Sequence, residues 1–132
     1  MKRDCGFTLV ELAVVIVIIG VLAAFGVPRF REAVERSKSG EAFNYLSAVR
    51  SAQERYTNQE GEYTPDTEAL DINFPPPKYF SLGEMTANES AWSQTLYRTG
   101  ASAGYGKYTV IFTEMGYSTG SNIPVDINPM ST

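Results

Sequence analysis

Between Phe7 and Pro28 the chain carries one charge, Glu11, in an otherwise apolar run that continues Leu12-Ala-Val-Val-Ile-Val-Ile-Ile-Gly-Val-Leu-Ala-Ala-Phe-Gly-Val27. At 1.5 Å of rise per residue, the roughly 21 residues from Phe7 to Val27 make a helix about 30 Å long, close to the thickness of a bilayer's hydrocarbon core. The segment can therefore sit in a membrane. An anchor explains the length but not the carboxylate, which costs roughly 2.5 to 3.5 kcal/mol at mid-bilayer on insertion scales. A cut between Gly6 and Phe7 would supply a partner, because the new α-amino group lies one helical turn before Glu11.

Gly6-Phe7-Thr8-Leu9-Val10-Glu11, the short basic leader before it, the long apolar run and Pro28 resemble a type IV prepilin, over about residues 1–56. The resemblance implies that a membrane-embedded prepilin peptidase cuts after Gly6 and N-methylates Phe7. It assigns Glu11 to neutralising an N-terminal amine during filament assembly, and it makes Gly20 and Pro28 the bounds of a part of the helix that loosens in filaments. The implied partners are further copies of the chain in a helical homopolymer, the peptidase, an inner-membrane assembly platform with minor pilins, and membrane lipid before assembly. The implied location is the inner membrane, with the N-terminus cytoplasmic and the head periplasmic, and then an extracellular pilus or a periplasmic pseudopilus. No cofactor is expected.

A chain of 132 residues supports one small domain. Removing the apolar helix leaves roughly 100 residues, enough for one modest core. The net charge is −4, and loss of Lys2, Arg3 and Asp4 makes it one unit more negative, so no general attraction to nucleic acid is expected. There is no His, and the one Cys, Cys5, lies in the proposed leader. A chain starting at Phe7 would have no thiolate or imidazole for a metal site, a His-based triad or a Cys nucleophile. It would also lack the C-terminal disulfide loop of many type IV pilins, a departure from those relatives.

The expected organisation is a leader at 1–6, an apolar membrane or filament-core helix at 7–28, and a globular head at 29–132. A competing reading is an ordinary secretory signal cut after Ala24-Phe25-Gly26, against which stand Glu11 in the apolar run and Pro28 just past the bond. Orientation is contested too. Lys2 and Arg3 precede the span, whereas Arg29, Arg31, Arg36 and Lys38 follow it, and counting favours the reverse topology. The rule is weak for a long following segment, and the resemblance decides for a cytoplasmic N-terminus.

In the head, Phe30, Val34, Ala42, Leu46, Val49, Ala52 and Tyr56 recur at helical spacing, with Arg31, Glu35, Lys38, Glu41, Arg50 and Glu54 expected on the opposite, solvated surface. The amphipathic half should span 29–60 and stop at Gly61. Pro28 is expected to kink the helix or open its hydrogen bonding. A loop should fill 61–77, where Pro75-Pro76-Pro77 forbids helix and central strand. Strands are expected at 78–82, 92–98 and 107–113, with Gly100 to Gly106 as a hairpin loop and one short strand near 123–127. The fold class is then α+β: a long helix whose apolar half projects, and whose second half packs on an antiparallel sheet of about three to four strands, as in pilins.

Other signals are weaker. Asp66, Glu68, Asp71 and Asp126 lack the spacing of a calcium loop and read as solvated charge, so no metal is expected. Asn88-Glu89-Ser90 fits a glycosylation sequon, and the aromatics of the head read as core and sheet surface ahead of a sugar or DNA platform. No paired-carboxylate spacing or phosphate loop points to an enzyme. A structural pilus subunit leads, with a pseudopilin of a secretion or DNA-uptake machine, or a membrane-anchored binding domain that never polymerises, as the alternatives.

Overall fold

The computed structural model describes residues 6–100 and 104–131. The leader residues 1–5, Cys5 among them, and the middle of the expected Gly100 to Gly106 loop lie outside the described residues. One helix dominates: α1, Leu9–Glu60, is 52 residues long, or about 78 Å at the standard rise. Gly61 ends it in the left-handed conformation, φ 85°, where a residue without a Cβ is unstrained. The helix runs through Pro28 without a break. The proline nitrogen has no hydrogen to donate, so one helical hydrogen bond is missing there while the helix continues on both sides.

The four strands are β1 (Phe80–Ala87), β2 (Trp92–Arg98), β3 (Thr109–Thr113) and β4 (Gly116–Tyr117), joined in chain order as an antiparallel meander. Strand β1 starts later and runs further than the expected 78–82. Its register shifts between Leu82 and Met85, and this irregularity broke the alternation that the sequence reading followed. In β3 the expected alternation holds, with Tyr108, Val110 and Phe112 buried and Thr109, Ile111 and Thr113 half-buried. The short strand expected near 123–127 is instead a 3-10 turn at Val125–Ile127, begun by Pro124. Proline fixes its own φ and gives a strand no donor, so a turn is the better solution there, and Ile127 is buried by it.

Helix α1 meets the sheet along Ala42, Phe43, Tyr45, Leu46, Val49 and Ala52, against Trp92, Leu96, Val110 and Phe112. Phe43 stacks on Tyr117 at 5.5 Å and meets Phe112 edge-on at 5.7 Å. Two details of the expected buried face are corrected. Phe30 is 69% exposed, because burial on α1 starts only at Glu35 and Phe30 belongs to the projecting half. Glu35, expected on the solvated surface, is 3% exposed and faces the sheet. Loop 61–77 contains a 3-10 turn at Thr67–Ala69 capped by Asp66. The loop is fastened to the helix by Gln53, whose amide donates to Thr64 O at 2.6 Å and accepts from Thr64 N at 3.1 Å.

Gly83 lies within the register shift of β1, with the backbone of β2 close beside it. A Cβ built there would lie 2.6 Å from Thr95 O and 2.8 Å from Tyr97 Cε2. Gly83→Ala should therefore push backbone apart and destabilise the head by about 1 to 3 kcal/mol, the usual range for overpacking. Urea unfolding followed by Trp92 fluorescence would test this, and an unchanged midpoint would show that the strand yields freely.

Candidate functional site

The N-terminal segment is built by local chemistry. Thr8 caps α1: its Oγ1 accepts from Glu11 N–H at 3.1 Å, while Glu11 Oε2 accepts from Thr8 N–H at 3.0 Å. This reciprocal cap occupies two of the donors that a helix start leaves unpaired, and a carboxylate in the first turn also suits the helix dipole. It gives Glu11 a second role beside the proposed amine pair, and one that an uncut chain already has. The sequence signature, Thr-x-x-Glu ahead of an apolar run, was present but not read as a cap.

Gly6 and Phe7 stand just ahead of the cap, and Phe7 is 82% exposed. Gly20 and Pro28 lie further along α1, both exposed, and a Cβ added at Gly20 would meet nothing within 4 Å. Of the five expected positions, Gly6 and Phe7 precede the helix and Glu11, Gly20 and Pro28 follow along it, so they are strung out in sequence order and not gathered in one site. An 18-residue window of α1 has a mean hydropathy of 2.8 with none of it buried, so this helix is long and apolar enough to cross a membrane.

The second constellation holds helix and sheet together where the docked half begins. Arg98 Nε donates to Glu35 Oε1 at 2.7 Å and its Nη2 donates to Oε2 at 3.3 Å. Tyr108 Oη donates to the same Oε1 at 2.8 Å. Arg98 Nη1 donates to the carbonyls of Tyr79 and Thr99. Arg98 and Glu35 are both nearly inaccessible, so the guanidinium is held in its charged form chiefly by hydrogen bonding to Glu35. Burial and the hydrogen bond to Glu35 push the Tyr108 phenol well above its ordinary range. One turn on, Ser39 Oγ donates to Ile127 O at 2.9 Å and fixes the C-terminal segment to the helix.

Three of the four loop acids, Asp66, Asp71 and Asp126, have intramolecular partners. Asp66 accepts from Glu68 N–H, and Asp126 accepts from Tyr105 Oη at 2.9 Å. Burial and then this hydrogen bond raise the Tyr105 phenol to about 12. Asp71 takes Arg55 at 2.8 Å, and the guanidinium holds its carboxyl below the usual range. Asn88 Oδ1 is engaged by Ser90 and Ala91 in the β1–β2 turn.

Comparison with known proteins bears on the first of these regions. Residues 1–27 match the family model described as the prokaryotic N-terminal methylation motif. The fimbrial protein EcpC of Eikenella corrodens is 42% identical over 67 residues, 51% of this chain and 44% of the relative. The type IV major pilin protein PilA of Myxococcus xanthus is 40% identical over 76 residues, 58% of this chain and 34% of the relative. The motif match and these fimbrial and pilin relatives support the type IV pilin superfamily for this chain. The type IV narrow pilus major component PilA5 of Thermus thermophilus is 51% identical over 50 residues, 38% of this chain and 43% of that pilin. The chain spans less than half the length of each of these three pilin relatives. The long helix followed by a four-stranded antiparallel sheet is the α+β architecture expected of the superfamily.

Proposed function

We propose that the chain is a structural subunit of a type IV pilus or a related filament, processed by a prepilin peptidase between Gly6 and Phe7 and polymerised through α1. The carrying observation is the exposed apolar stretch of α1 from Leu9 to Val27, which no other described residue covers. An apolar surface of this size requires either lipid or other copies of itself. Lipid serves it before assembly, and neighbouring apolar helices serve it in a filament. The match of residues 1–27 to the methylation motif supports the cut and the modification of Phe7. The pilin and fimbrial relatives support the polymer.

Intact-mass analysis of filament or membrane material is expected to give a chain that starts at Phe7 and carries one added methyl group. A start at Val27 would mean an ordinary secretory signal, and an uncut Met1 would mean a permanent anchor. In either of those cases Glu11 has no terminal amine one turn away.

A further inference from the structure

The charges of the long helix are separated along its axis. Just past the apolar stretch stand Arg29, Arg31 and Arg36, all exposed. The acids of that stretch offset them poorly, since Glu35 is buried against Arg98 and only the half-buried Glu32 remains. Arg31 and Asp126 line one shallow pocket with Pro28 and Tyr105 without closing to an ion pair, and Asp126 accepts from the Tyr105 phenol. Among the described residues the ion pairs are Arg55–Asp71 and Arg98–Glu35, so the three arginines enter none.

At the far end of the helix stands Glu60, with Glu62 just past the Gly61 stop and Glu68 in the 3-10 turn that follows, all exposed and likewise outside both ion pairs. The last turn of α1 contains no basic residue. Carboxylates at a helix C-terminus oppose the helix dipole, so this placement works against the helix's own stability and calls for a cation from elsewhere. The subunit cannot supply one from its arginine collar. Arg31 and Glu60 are on one unbroken helix, about 44 Å apart by its rise.

We propose that the collar of Arg29, Arg31 and Arg36 in one copy docks against Glu60, Glu62 and Glu68 of a second copy displaced by about 44 Å along the helix axis. The inference rests on the filament reading above and adds an axial register to it. The collar directly continues the exposed apolar surface that the filament would bury, so a copy packed along that surface brings the two charge sets into the same layer. The contact is heterologous, with each copy using its collar toward one neighbour and its acidic end toward another, which suits an open helical polymer.

The test uses the full chain made in cells, in a Cys5→Ser background, with Arg31→Cys and Glu62→Cys combined. A disulfide needs Cα atoms no more than about 7 Å apart, so the two cysteines cannot close within one subunit. Mild oxidation of sheared filaments should give a ladder of linked dimers, trimers and longer species, whereas each single-cysteine variant stops at dimers. In parallel, Arg29→Glu, Arg31→Glu and Arg36→Glu together should lower filament yield about tenfold, as three exposed pairs turned repulsive would. Adding Glu60→Arg, Glu62→Arg and Glu68→Arg should restore it. No ladder from filaments of normal yield would overturn the inference, as would a sixfold reversal no better than the triple. Weaker association of the triple variant with phosphatidylglycerol vesicles, at unchanged filament yield, would give the collar to lipid instead. If the unmodified chain makes no filaments at all, the filament reading itself falls.

Discussion

Arg98→Met is expected to destabilise the head by about 3 to 5 kcal/mol, the cost of breaking a buried ion pair by removing one partner. That is a large part of the total stability of a small domain. The geometry explains why. Arg98 makes two bonds to Glu35 and two to backbone carbonyls, and the loss removes the cation from a carboxylate in a site with almost no access to water. Tyr108→Phe removes a single hydrogen bond to the same carboxylate and should cost less, about 1.5 to 3 kcal/mol. Replacing both charges, as Glu35→Leu with Arg98→Met, should recover much of the loss, because no buried charge is left behind. Trp92, the one tryptophan, is 2% exposed in the core, so its emission during urea unfolding of the detergent-solubilised chain reports the head and not the apolar helix. A midpoint for Arg98→Met equal to that of the unmodified chain would deny the pair its role in holding helix to sheet.

This pair marks the limit of what the sequence makes legible. Helical spacing located α1 and its stop at Gly61, because both depend on neighbours three or four residues away. Strand β2 was legible from a different local spacing, since Trp92, Gln94, Leu96 and Arg98 alternate at every second residue with exposed or half-buried ones. Glu35 was not. A charged side chain in an amphipathic helix is placed outside by default, and only a cation on the facing strand, brought there by the fold, reverses that. One clue existed: Arg98 occupies an inward position of β2, and an arginine there needs an acid from the facing helix. The length of β1 failed on a related point, because Gly83 and Glu84 interrupt the apolar alternation and pairing with β2 carries the strand past them. The tail failed because Ile123 and Ile127 are apolar in a short segment, where periodicity cannot separate a strand from a turn. The N-terminal positions, in contrast, form a local motif, and what the sequence reading missed there was the helix cap formed by the same glutamate.

The cap formed by Glu11, beside its proposed pairing with an amine, sharpens the test of assembly. In lipid the carboxylate can be met by the cap and by the amine of its own Phe7, so a single subunit is tolerable. In a filament the apolar helices leave lipid and pack on one another, and each buried charge then needs a partner of opposite sign. If that partner is the Phe7 amine of an adjacent copy, Glu11 admits each new subunit in one register. Glu11→Gln separates the two roles. Glutamine also completes a Thr-x-x-Gln capping box, so helix start, processing and membrane insertion should persist, while the amine of the neighbour is left buried without a counter-charge. A loss of about 3 to 5 kcal/mol per contact corresponds to at least a hundredfold weaker association, and sheared filaments should fall to a trace of total subunit. Thr8→Ala does the reverse, removing the hydroxyl of the cap at about 1 kcal/mol while sparing the charge, and should leave yield far closer to normal. Glu11→Asp, one methylene shorter, should lie between them. Normal filament yield from Glu11→Gln would leave the glutamate as a helix cap alone and return residues 7–28 to the status of an ordinary anchor.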